Sequence, residues 1–463
     1  MLEREVLERV LKEALRRGGD FAEVYVEVKG ITTVICEDNR IEKVNKGYEA
    51  GVGIRVVNKG NTSYAYTNDL TEESLIKAAR TVAHASERQD RDVVINLVLV
   101  PGPPPFIYRK MPEDFAVADK VEVVLKANEE ARAQGPEVRQ VTVVAGDVHK
   151  KIQIANSLGH LVEDEIVRTR FVVNVVAVKD GILQTGFEAA GGVMGWELLD
   201  EHSALALAQR AAKRALMMLG ARPCPAGRMP VVMSSEAGGT MIHEACGHGL
   251  EADLVQKGLS VYQGRLGQKV ASPVVTVVDD ATLAGKNGSV RFDDEGVIGQ
   301  RTVLIDKGVL VGYMYDLLSA EKDKVRSTGN GRRESYQHKP IPRMTNTFIA
   351  PGDANPDDII RETKRGLLVK KMGGGQVNTT NGDFVFEVQE GYIIENGEVK
   401  YPVRGATLTG NGPEALNNID MVGNDLGFSI GTCGKDGQGV PVSDAQPTIR
   451  IKCLTVGGTS FDS

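Results

Sequence analysis

Residues 384–403 read FVFEVQEGYIIENGEVKYPV, two strand-like runs on either side of Asn396-Gly397. Asn-Gly accepts the pair of positive φ angles that a two-residue hairpin turn needs, so the segment is expected to fold back on itself as an antiparallel pair. Each strand must bury one face, and a one-residue slip would turn the apolar set to solvent, so the register is firmly set. The same texture spreads outward. VVTVVDD (274–280), TVLIDKGVLVGYMY (302–315) and PTIRIKCLTVGG (447–458) are further strand candidates, punctuated by Lys-Gly and similar turns. Only two helices are expected here, near 236–250 and near 355–366. Residues 225–463 are therefore expected to form a mostly antiparallel β domain.

Upstream, LGARPCPAGRMP (219–230) carries three prolines and two glycines and reads as a linker. Before it the pattern is helix, strands, helix, and then the same again. Val6, Leu7, Val10, Leu11 and Leu15 have helical spacing within 3–18, and further helices are expected over 72–87, 117–134 and 199–219. Strands are expected around 24–28, 53–57, 139–145, 151–155 and 171–178. Asn58-Lys59-Gly60 matches Lys179-Asp180-Gly181, each closing one β-rich run and opening another. Residues 1–220 thus predict an α/β domain of two related halves, and the whole chain an α+β protein.

The chain has 463 residues, of which 41% are hydrophobic and 25% charged, an ordinary globular composition. The formal net charge of −7 disfavours nucleic acid, whose phosphates need a basic surface. The N-terminus, MLEREVLERVLKEALRR, is a charged amphipathic helix rather than a signal peptide, and no apolar run is long enough to span a bilayer. A cytoplasmic location without membrane association is expected. Five scattered cysteines, Cys36, Cys224, Cys246, Cys433 and Cys453, make no disulfide framework.

The chemistry is concentrated in EAGGTMIHEACGHGLEAD, residues 236–253. His243 and His248 lie five apart rather than four, which on a regular helix separates them by about 140° instead of about 40°. To share one ion they require a π-type turn or a helix break, for which Gly247 and Gly249 offer backbone freedom. Glu244 follows the first histidine, where a general base stands in the four-spaced zinc-protease signature. A catalytic zinc needs a third protein ligand and one open position. Glu251, Cys246, Cys433 and Cys453 are the candidates.

HEACGHGLEAD, STGNGRRESY (327–336), TTNGDFVFEVQEGYIIENGEV (379–399), LTGNGPEALNNI (408–419) and CGKDGQGVPV (433–442) together resemble the TldD/PmbA family over the full length. With HExxxH intact, the likeness is to its metal-bearing TldD branch. The resemblance implies a zinc metallopeptidase with His243, His248 and Cys433 as metal ligands and Glu244 as base. It also implies unfolded or extended peptides as substrates and a TldE/PmbA-type chain as partner, or self-association.

Other residues have blander readings. Cys246 is expected to pack away from His243, Cys36 and Cys453 to occupy core strand positions, and Lys435 to be solvated. Glu251 and Asp253 either orient the histidines or end a solvated helix. RSTGNGRRESYQHK (326–339) reads as a surface loop, with Arg332 or Arg333 available to a peptide. GGGQVNTTNG (373–382) is too polar for a core and could admit a peptide backbone. The competing functions are a non-catalytic scaffold with a structural metal or packing cluster, and a thiol hydrolase using Cys433 or Cys246.

Overall fold

Leu7, Val10, Leu11, Ala14 and Leu15 form one apolar stripe, so Arg4–Leu15 is a helix that buries this face against a sheet. The computed structural model describes residues 1–84 and 93–458. Strands Phe21–Glu37, Arg40–Asn58 and Asn61–Thr67 form an antiparallel meander, and helix Glu72–Ala83 returns beside the first helix. The pattern then repeats: helix Val117–Arg132, strands Val138–Asn156, His160–Lys179 and Ile182–Gly192, then helix Ala204–Leu219. Phe21–Glu37 pairs antiparallel with Val138–Asn156, which joins the two meanders in one seven-stranded sheet. The two matched turns share one backbone geometry, with φ 49° and 50° at Lys59 and Asp180 and 78° at both Gly60 and Gly181. Both are two-residue hairpin turns.

The last helix of this region breaks at Ser203, whose hydroxyl accepts from Ala206 N–H and starts Ala204–Leu219 afresh. For the helix expected over 72–87, residues 85–87 lie outside the described residues.

The remainder is mostly β. Asp383–Glu395 and Glu398–Arg404 are the expected hairpin, with φ 56° at Asn396 and 76° at Gly397. They belong to an eight-stranded sheet that also holds Gly227–Met233, Arg365–Val377 and Ile449–Gly457. A second, six-stranded sheet ends on the edge strand Gly427–Lys435, which pairs with Gln438–Gln446. Among the described residues, three parallel strand pairings interrupt the antiparallel pattern: Asn346–Ile349 with Gln438–Gln446, Arg365–Val377 with Gly227–Met233, and Glu398–Arg404 with Arg222–Pro223. The expected linker is shorter than its prolines suggested. Arg222–Pro223 pairs with Val403–Arg404, and from Gly227 onward the chain is already a sheet strand.

One face of the first sheet carries its helices. The other packs Tyr25, Ile152, Ile154 and Val162 against Phe292 and Tyr336. The stretch 326–339 is not the solvated loop its charge suggested. Arg332 and Arg333 are 3% and 2% exposed. Arg332 donates to the carbonyls of Met344 and Pro441, while Arg333 pairs with Glu23 and stacks over Tyr25. The Arg333 guanidinium ties the two regions together, while the Arg332 guanidinium braces backbone within the second.

Candidate metal centre

Thr240–Ile242 starts a helix that gives way at His243 to a π-helical turn, His243–Gly247. The His248 N–H bonds to the His243 carbonyl, an i to i+5 contact. That extra residue per turn brings the two imidazoles onto one face, with ring centroids 4.9 Å apart and planes near perpendicular. The backbone at Gly247 is helical, φ −52°, so glycine is not needed there for conformational freedom. It is needed for space, because a Cβ would stand 2.2 Å from Met344 Sδ. Gly239 serves the same end, since a Cβ there would stand 2.1 Å from Ala445 N, so the helix start lies directly on strand Gln438–Gln446.

Cys433 arrives from the neighbouring edge strand, its Sγ 3.4 Å from His248 Nε2. One donor atom from each of His243, His248 and Cys433 lies within 4.8 Å of the others. Each imidazole is turned by its opposite nitrogen. His243 Nδ1 donates to Asp444 Oδ1 at 3.0 Å, and His248 Nδ1 to Glu251 Oε2 at 3.1 Å. Carboxylates on Nδ1 leave both Nε2 atoms free as donors toward one point, the arrangement that commonly orients metal-binding histidines. Two imidazoles and a thiolate suit zinc and leave a fourth position open.

The electrostatics favour a cation at that point. Burial alone would raise the Cys433 thiol, but hydrogen bonds and charge from both histidines pull it down to about 5. Burial likewise opposes charging His248, yet Glu251 and the thiolate raise it to about 9, and Asp444 with the thiolate raises His243 well above its ordinary value. Glu244 is raised from the usual carboxylate value by burial, against the two histidines, and shares with them a cavity of about 1220 Å³.

Glu251 is fully buried and orients His248, which removes the solvated-helix-end reading. Burial would raise its carboxyl, but Lys435, His248 and Arg343 hold it at about 2. Lys435 is therefore not solvated. Its ammonium, 6% exposed, sits 3.1 Å from Glu251 and 2.6 Å from Asp253. Cys246 packs away from the cluster as expected, fully buried, its Sγ against the Ile242 carbonyl at 3.5 Å. Cys36 is buried in the core, whereas Cys453 is only half-buried, beside Arg228. Asp444 is a residue sequence reasoning missed, since no local spacing ties it to His243. Gly373–Gly375 lie within strand Arg365–Val377 on the cavity wall, so the polar glycine segment does face open space.

Family profiles for PmbA/TldA metallopeptidase domain 1, the central domain and the C-terminal domain match residues 22–86, 110–219 and 226–458. The chain belongs to the TldD/PmbA family. A protein named metalloprotease TldD homolog from Haemophilus influenzae is 37% identical over 453 residues, covering 96% of this chain and 94% of that one. A zinc metalloprotease TldD homolog from Saccharolobus solfataricus is 29% identical, covering 97% and 99%. Among solved structures, TldE from Thermococcus kodakarensis has the same TldD/PmbA fold, with TM-score 0.75, 22% identity and coverage of 98% and 99%. A Thermotoga maritima protein described as a putative modulator of a DNA gyrase matches at TM-score 0.79 and 24% identity, covering 94% and 96%. Among the described residues, no helix is long and apolar enough to cross a membrane.

Proposed function

We propose that this chain is a zinc-dependent peptidase of extended peptides, with His243, His248 and Cys433 holding the metal and Glu244 as general base. The observation that carries the reading is the convergence of three donor atoms within 4.8 Å, beside Glu244, on a cavity large enough for several peptide residues. Zinc bound there supplies Lewis acidity, polarising a carbonyl and acidifying water. Asp444 and Glu251 keep the histidine protons on Nδ1, so the Nε2 lone pairs stay available. The Glu244 carboxylate takes a proton from the attacking water and returns it to the leaving amine, a task its raised pKa suits.

The strand that delivers Cys433 supports the choice of extended peptides as the substrate class. Gly427–Lys435 ends its sheet, and residues 428–435 line the cavity. A free edge accepts an extended backbone by adding a strand, with little demand on side chains, and a folded protein cannot present one. We take residues 1–220 and 225–463 as the two structural domains. A second TldD/PmbA-type chain, or self-association, is proposed to close the cleft.

The test is Glu244→Gln, assayed zinc-loaded, alone and with such a partner, on unstructured peptides with a stable folded protein as control. Cleavage should fall by roughly 10²–10⁴-fold with zinc retained, and the folded control should stay intact. Undiminished cleavage by Glu244→Gln defeats the reading. The close Cys433–His248 contact favours one second reading, a thiol hydrolase, and activity that survives chelation would establish that one instead.

A further inference from the structure

The cavity that holds the His–His–Cys cluster has a second charged region, contributed by other elements. Strand Ile182–Gly192 brings Glu188, helix Ala204–Leu219 brings Arg210 and Arg214, and strand Arg365–Val377 brings Lys371, all on the cavity wall. Glu390 is the cross-strand partner of Lys371. Arg214 is held as a clamp, its Nε on Glu390 and its Nη1 on Glu188, both at 2.6 Å. Lys371 Nζ and Arg210 Nε reach the same Glu188 only at 3.7 and 3.6 Å, beyond hydrogen-bond length. Three cations thus face two carboxylates, and one positive charge is left over. The cavity's remaining acids are Glu236, which faces Lys370, and Glu244 and Asp444 at the metal cluster.

We propose that Arg210, Arg214 and Lys371 form a subsite for a carboxylate of the bound peptide, either its free C-terminus or an Asp or Glu side chain. The proposal rests on the peptidase reading. Lys371 and Arg214 are 19% and 11% exposed at their side chains and Arg210 52%, so the Lys371 charge is partly withdrawn from water, where a charge-assisted contact is stronger than on an open surface. Arg214 is fixed by its two carboxylates, while Lys371 and Arg210 have only long contacts to give up. An incoming carboxylate therefore gains donors without breaking a short ion pair.

The experiment measures binding of three labelled hexapeptides to the full-length protein by fluorescence anisotropy. One has a free C-terminus and no acidic side chain, the second is its C-terminal amide, and the third is that amide with one internal Glu. Each is run on wild type, Lys371→Gln and Arg210→Gln, and cleavage of the same peptides is followed with the zinc-loaded chain, alone and with a second TldD/PmbA-type chain. Wild type should bind at least one carboxylate peptide about tenfold more tightly than the neutral amide, the scale of one charge-assisted contact. The preference should fall below about twofold in both variants. Preference for the first peptide assigns the subsite to the terminal carboxylate, and preference for the third to an acidic side chain. Equal binding of all three, no binding, or a preference that survives both variants overturns the subsite. Cleavage without preference removes the subsite and leaves the peptidase. Preference without any cleavage keeps the subsite and removes the peptidase.

Discussion

Glu251→Gln probes the link between fold and metal centre most sharply. Glu251 is fully buried, with one oxygen on His248 Nδ1 and its charge facing Lys435 at 3.1 Å and Arg343 at 3.9 Å. Removing one partner of a buried ion pair costs about 3–5 kcal/mol because the other charge is stranded. Lys435 keeps Asp253 at 2.6 Å, so the lower end, about 3 kcal/mol, is expected for the metal-free protein. The glutamine oxygen still accepts from His248 but no longer makes the imidazole a stronger donor to the metal. Loss of such a carboxylate weakens metal binding about 10–100-fold, equivalent to about 1.4–2.7 kcal/mol. The assay is zinc competition against a chelating dye, with thermal unfolding of the metal-free and loaded forms alongside. A folded Glu251→Gln protein with wild-type zinc affinity would refute the argument that Glu251 sets the His248 donor.

Asp444→Asn should lower zinc affinity by a similar factor of about 10–100, and should also lower metal-free stability, since the buried His243 imidazole loses the carboxylate that favours its charged form; the same dye competition and melts check both halves. Stability should also carry a pH signature from Glu295. Burial, with Asp316 and Glu23 nearby, outweighs Arg55 and pushes it up to about 7. An unfolded glutamate titrates near 4.3, so between about 4.3 and 7 the native chain binds a proton that the unfolded chain does not, and stability falls as pH rises. Urea midpoints across that window should decline more steeply for wild type than for Glu295→Gln, and equal slopes would contradict the assignment.

The legible parts of the fold were those written in local chemistry. Asn396-Gly397 and the matched turns at Lys59-Gly60 and Asp180-Gly181 have the positive φ values their residues suggest. The five-residue histidine spacing required a π-turn, and one is present. What local pattern could not show is where distant charges go. Lys435 and Arg333 look like ordinary surface cations in sequence, yet each is buried against carboxylates contributed by segments far along the chain or by another sheet. Asp444 meets His243 only because Gly239 lets a helix start rest on its strand. Cys453 alternates like a core residue but lies on a half-exposed strand face beside Arg228.

Whether His243, His248 and Cys433 bind one zinc is read out by metal analysis of the purified full-length chain. One zinc per chain is predicted for wild type, with loss in His243→Ala, His248→Ala and Cys433→Ala proteins that retain wild-type circular dichroism. Absence of zinc after reconstitution of wild type, or full occupancy in folded Cys433→Ala, would contradict the account.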